Sequence, residues 1–213
     1  MNFITTEYGA YEQGLPQTGK HILAQQTNDH ILVYQAFRDS IADYAIKHQR
    51  FGGTDYSYNR MSWIKPNFLW MMYRSGWAGK TGQQRILGIW ITKKNFEKIL
   101  ANSTFTSFAQ TTGISHEEWK MTLDEKPIRL QWDPDHLPNY EKHTRKAIQL
   151  GIKGELLREF GEEMIVEIMD LSQFVRTQSL LAVTPPYDKL LVAKETIYVP
   201  DSEKLARQVG IDQ

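Results

Sequence analysis

The sequence has no cysteine. That absence excludes disulfides, thiolate metal sites and cysteine nucleophiles, and it fits a reducing compartment. Net charge is missing too, because 25 lysines and arginines balance 25 aspartates and glutamates across 213 residues. The balance excludes a disordered polyelectrolyte and a globally basic nucleic-acid binder, while leaving room for a local basic patch. Long apolar runs are also absent: the most apolar stretch, Phe68 to Tyr73, falls far short of the ~20 residues a membrane helix needs. The first 28 residues are polar, are broken by Gly9, Gly14, Pro16 and Gly19, and have neither the basic start nor the apolar stretch of a signal peptide. A soluble, cytoplasmic protein is expected.

Several motifs of established chemistry are missing. Gly79-Lys80-Thr81 invites a phosphate-loop reading, but Arg74 stands where that loop needs its first glycine, and an apolar helix precedes it instead of a strand. No Gly-x-Ser-x-Gly elbow supports a serine hydrolase, and no Gly-x-Gly-x-x-Gly fingerprint supports a dinucleotide fold. Asp133, Asp135, His136 and His143 are hard-metal ligand types, but no second cluster completes a recognisable spacing, so no metal is expected.

What is present is core-forming material, at 41% hydrophobic and 12% aromatic residues. Ile31 to Phe37 and Ile86 to Ile91 read as buried strands, and the alternation of Ile128, Leu130 and Trp132 with Arg129 and Gln131 reads as a half-buried one. Ala147 to Ile152 and Met164 to Ile168 are further strands, with a helix over Gly154 to Phe160 between them. Leu190 to Ala193 and Thr196 to Val199 read as a strand pair or one bent strand. Asp39 or Ser40 can cap a helix through about His48, with the glycines of Arg50-Phe-Gly-Gly53 supplying a left-handed exit. Asn67 to Ser75 is a helix apolar nearly all round, which belongs in the interior. Helices are also expected at Asn95 to Leu100, after the capping box of Ser115 and Glu118, and at Asp201 to Val209. The polar stretch Asp133 to Thr144 is expected as a long functional loop. The fold class is α+β: one domain over residues 19–213, with a mixed or mainly antiparallel sheet and packed helices, after a flexible polar segment at 1–18.

The densest polar-aromatic block runs from Arg60 to Trp77. Lys65 sits where a strand hands over to a helix, a position where backbone amides and the helix dipole favour anions. Arg60, Lys65 and Arg74 can clamp phosphates while a tryptophan stacks on a base. The alternative is that the tryptophans are core and the cations extend to water or to acidic partners.

At this block the chain resembles a domain-of-unknown-function family, number 4291. The resemblance rests on Val33-Tyr-Gln-Ala-Phe37, His48-Gln-Arg-Phe51, Arg60-Met-Ser-Trp-Ile-Lys-Pro66, Phe68 to Trp77, Gln131-Trp-Asp-Pro134 and Ala147-Ile-Gln-Leu-Gly151. It covers nearly the whole chain from about Gly19, and Leu23 departs from it by standing where arginine is expected. The family carries no established reaction.

A second, more distant resemblance is to small ADP-ribosyltransferase-like domains, in the order of Val33-Tyr34-Gln35, Ser62 and Glu195 before Ile197-Tyr198-Val199. It implies NAD as cofactor and transfer to a nucleotide, nucleic-acid or protein acceptor. Tyr34, Gln35 and Ser62 would line the nicotinamide-ribose end, with Arg60, Lys65 and Arg74 at the phosphates. Glu195 would be catalytic, steadying the positive charge that develops on the ribose. Gln35 departs from the usual arginine or histidine. Beside this stand two other readings: a non-enzymatic nucleotide or nucleic-acid-binding module built on the Arg60–Trp77 block, and Glu195 as an ordinary strand-end carboxylate.

Overall fold

Residues 1–111 and 113–212 are described by the computed structural model. In chain order the elements are β1 (Thr5–Glu7), α1 (Tyr8–Gln13), β2 (Ile22–Ala24), β3 (His30–Phe37), α2 (Asp39–His48), β4 (Ser62–Ile64), α3 (Phe68–Ser75), β5 (Arg85–Thr92), α4 (Lys93–Ala101) and β6 (Ser103–Phe105). They continue with α5 (His116–Glu125), β7 (Ile128–His136), β8 (Lys142–Ile152), α6 (Gly154–Glu159), β9 (Ile165–Asp170), α7 (Ser172–Ser179), β10 (Leu191–Ala193), β11 (Thr196–Tyr198) and α8 (Glu203–Val209). The fold is α+β, and its sheets are mostly antiparallel.

Strand periodicity explains how the core is divided. Successive side chains of a strand point to opposite faces. Ile31 and Val33 of β3, with Leu87, Ile89 and Ile91 of β5, enter one core cluster, while Leu32, Tyr34, Ile86 and Trp90 enter another. The sheet β3-β5-β9 is therefore covered on both faces. The second main sheet, β4-β8-β7-β6, is antiparallel except for β6 against β7. Ile128, Leu130 and Trp132 on β7 and Ile148, Leu150 and Ile152 on β8 join the first cluster. Their neighbours Gln131, Asp133 and Gln149 face the other way. The two sheets meet at one bridge, where the Tyr34 N–H donates to the Lys65 carbonyl at 2.7 Å and the Lys65 N–H returns to Tyr34 at 3.1 Å. No further backbone bridge joins β3 to β4 among the described residues.

Helix α3 follows from its sequence. Asn67 caps it by accepting the Trp70 N–H at 2.6 Å, and Gly76 closes it in the left-handed conformation at φ 60°. Phe68 to Met72 are all buried, each such side chain contributing ~1.5–3 kcal/mol of burial free energy. Trp70, Trp77, Trp90 and Trp132 are core residues. The capping box of Ser115 and Glu118 opens α5.

Four local expectations are corrected. The left-handed exit of α2 is Gln49 at φ 53°, not a glycine; its amide donates to the Ile46 carbonyl at 2.8 Å and accepts from the Ile168 N–H at 2.7 Å, which holds the conformation. The α2 cap position is Arg38, without a side-chain hydrogen bond. Asp133 to Thr144 is no long loop: β7 continues through His136 and β8 begins at Lys142, because Asp135 and Arg145 pair in the interior and Pro134 sits at a register shift. Finally, β10 and β11 do not pair with each other; β10 pairs with β1 and β11 with β2. Residues 1–18 contain β1 and α1, with Tyr8 and Tyr11 buried.

Candidate functional site

Where β3 and β4 separate, a cleft of about 450 Å³ opens, a volume within the usual range for small-molecule sites. Gln35, Ala36 and Phe37 come from the end of β3, and Arg60, Met61, Ser62 and Trp63 from the approach to β4 and β4 itself. Lys65 follows β4, Met71 and Arg74 come from α3, Gln83 from the turn before β5, and Gln149 from β8. Five of the sequence-predicted residues thus converge: Gln35, Arg60, Ser62, Lys65 and Arg74.

The electrostatics of the cleft are one-sided. No aspartate or glutamate is among the described lining residues. Arg60 and Arg74 are exposed and form no ion pair or side-chain hydrogen bond with another described residue. Lys65 is buried, and its ammonium finds only the Trp63 carbonyl, at 3.4 Å. Burial, with Arg74 adding repulsion, pulls the Lys65 pKa down to about 7, and Asp133 offsets part of this. Two cations are therefore held unpaired at the mouth and a titratable amine at the floor.

The neutral part of the floor is ordered. The Gln35 amide donates to Ser62 Oγ at 2.7 Å and to the Trp63 carbonyl at 3.3 Å, which ties β3 to β4 just past the bridge. The Gln149 amide donates to Asp133 Oδ2 at 2.8 Å. Sequence reasoning missed Gln149 and Gln83. The alternation within β8 marks Gln149 as facing away from the core, but its place beside Gln35 depends on strand pairing that only the fold supplies.

Tyr34 and Glu195 lie outside the cleft. Tyr34 precedes Gln35, so strand alternation turns it to the opposite face, where it packs against Phe68 with ring centroids 5.6 Å apart. Glu195, in the two-residue connection between β10 and β11, is buried with Tyr11, Asn67 and Phe68. Its pKa is raised to about 8, chiefly by burial. Leu23, where arginine was expected, is a buried residue of β2. The strand-borne Asp133, Asp135, His136 and His143 do not form a metal cluster; among the described residues no such group of three or more is found.

A larger cavity of about 560 Å³ lies between β6, α5 and α8 and includes Lys20, Lys126 and Arg207. It holds none of the sequence-predicted residues, and Lys126 is already bonded to the Ala101 carbonyl at 3.2 Å. The β3–β4 cleft is the better candidate because its arginines are uncommitted.

Residues 21–198 match the family model of a domain of unknown function, DUF4291. The chain belongs to the DUF4291 family. The match spans every residue that lines the cleft. The family description names no reaction. No curated protein matches the chain significantly. Among the described residues no helix is long and apolar enough to cross a membrane.

Proposed function

We propose that this DUF4291 chain binds a phosphorylated ligand of nucleotide size in the β3–β4 cleft. One observation carries the reading: Arg60, Lys65 and Arg74 surround a cleft whose described lining has no acidic side chain. Unpaired guanidinium groups match phosphate oxygens in geometry and charge, and an ammonium at the floor adds a compact positive charge. Gln35, Ser62 and Gln149 offer neutral hydrogen-bonding groups beside the cations, and the partly exposed Trp63 offers an aromatic wall. NAD and other nucleotides present the required diphosphate.

Binding is the reading favoured over NAD-dependent transfer. A transferase needs a carboxylate beside the reacting ribose, and Glu195 has its oxygens committed to Tyr11, Asn67 and the Phe68 amide. Titration calorimetry with ADP, NAD and pyrophosphate tests the proposal. Arg60→Ala and Arg74→Ala are each expected to weaken ADP binding by about tenfold or more, roughly 1.4 kcal/mol. Raising salt from about 50 mM to about 300 mM is expected to weaken it further, since the two arginines are solvent-exposed. Absence of heat with all three compounds at millimolar concentration overturns the reading.

A further inference from the structure

The hydrogen-bonding polarity of the cleft floor is set from behind. Gln131 on β7 stands directly opposite Gln149 on β8, and Asp133 lies two residues further along β7. The Asp133 carboxylate accepts the Gln131 amide on Oδ1 at 2.7 Å and the Gln149 amide on Oδ2 at 2.8 Å. An ionised carboxylate has acceptors only, so each glutamine must turn its NH2 group toward Asp133. Gln149 is thereby left with its Oε1 free, and no described protein group donates to that oxygen. Gln149 lines the cleft while Asp133 does not.

Gln35 supplies no second acceptor to a ligand. Gln35 spends its amide hydrogens on Ser62 and the Trp63 carbonyl, and its Oε1 is buried without a partner. Gln35 is only 2% exposed, so neither water nor a ligand hydroxyl reaches that oxygen. The floor therefore presents the Gln149 carbonyl oxygen, with cations alongside.

We propose that Asp133 is a positioning residue that holds the Gln149 carbonyl toward the cleft, so that the site selects a sugar phosphate with a hydroxyl that donates to Gln149. The cations meet the phosphate and the Gln149 amide oxygen meets a hydroxyl. The shared chemistry is a phosphorylated ribose, either free or within a nucleotide. This inference rests on the phosphate-binding reading of the same cleft.

The test compares four probes by calorimetry: ADP, 2′,3′-dideoxy-ADP, ribose 5-phosphate and pyrophosphate. The wild-type chain is expected to bind ADP about tenfold or more tightly than its dideoxy analogue. Asp133→Asn and Gln149→Leu are expected to bring that ratio to about one. Gln149→Leu leaves Asp133 in place, so it decides the matter if Asp133→Asn does not fold. Ribose 5-phosphate binding as tightly as ADP assigns the free sugar phosphate, and tighter ADP assigns the nucleotide; both support the proposal. A wild-type ratio near one, or a ratio unchanged in the folded variants, overturns it while pyrophosphate binding leaves the anion site standing. Failure of every probe, pyrophosphate included, removes the phosphate-binding reading itself.

Discussion

Glu195 Oε1 accepts the backbone N–H of Phe68 at 2.6 Å, across 127 positions of sequence. The other oxygen accepts the Tyr11 hydroxyl at 2.8 Å and the Asn67 amide at 3.2 Å. One carboxylate thus fastens the β10–β11 connection to the start of α3 and to α1. The first turn of a helix leaves N–H groups without partners, and the interior offers no water to take them. Glu195 serves one of these donors and Asn67 serves another.

Replacing Glu195 by alanine therefore strands the Phe68 N–H and the Tyr11 hydroxyl together. We expect a loss of about 2–3 kcal/mol in urea unfolding, because buried donors without partners carry their full desolvation cost. ADP affinity is expected to stay within about twofold, since Glu195 does not line the cleft. The pH dependence has a definite sign. Burial raises the Glu195 pKa from 4.5 to about 8, so the folded state holds a proton that the unfolded state has released. Its contribution is fully present below 4.5 and is lost as the pH climbs through about 8. Unfolding series at several pH values should show a shallower decline for Glu195→Gln than for wild type.

Lys65 runs in the opposite sense. Its pKa is lowered from 10.5 to about 7, so between these values the unfolded chain binds the extra proton and stability rises with pH. Lys65→Met should remove that slope. A bound phosphate favours the charged amine, so binding near pH 8 draws in a proton and affinity falls as the pH rises above about 7. Calorimetry in two buffers of different ionisation heat measures that uptake directly. Equal heats in both buffers would take Lys65 out of contact with the ligand.

Arg145 is completely buried, and its Nε donates to Asp135 Oδ2 at 2.6 Å while Nη2 donates to Glu12 Oε1 at 2.6 Å. The pair joins β7 to β8, and the second contact pins α1. Burial raises the Asp135 pKa and Arg145 opposes that rise, so the carboxylate depends on its partner. Arg145→Met leaves Asp135 alone in the interior, at a cost of about 3–5 kcal/mol. Adding Asp135→Asn should recover part of the loss. Limited proteolysis should cut residues 1–17 faster in the single variant, because Glu12 loses its anchor.

Much of this arrangement is legible in the sequence, for stated reasons. Strand β3 and helix α3 announce themselves because their burial is complete enough to leave apolar runs, and Asn67 and Gly76 mark the ends of α3. The cleft cations were legible because Arg60, Lys65 and Arg74 are close in sequence and close in space. Tyr34 sits one position of strand alternation away from the cleft face. For Glu195 the sequence shows a carboxylate near a late strand without a partner, and only the fold brings Phe68 to it. The hairpin at Asp133 to Thr144 reads as a loop because it is polar, yet its Asp135 is buried and pairs across the strands with Arg145, while Asp133 pairs with Gln149 on the opposite face. Such pairings depend on register, which composition does not carry.

Gly151 gives the sharpest test of the cleft wall. It stands opposite Trp63 in the β4–β8 register, and a methyl group there would come within 2.6 Å of Met61 Sδ and 2.8 Å of Trp63 Cε2. Both of those residues line the cleft, so Gly151→Ala must push the wall to accommodate one carbon. Gly88→Ala is the matched control: its methyl would meet Leu171 Cδ1 at 2.9 Å and Leu32 Cδ1 at 3.3 Å, inside the core cluster behind β5. Overpacking of this kind costs ~1–3 kcal/mol, so both variants should unfold at lower urea than wild type. Only Gly151→Ala should also weaken ADP binding, by about tenfold. If the two variants lose stability equally and both bind ADP as wild type does, Trp63 and Met61 do not form the wall that the ligand meets.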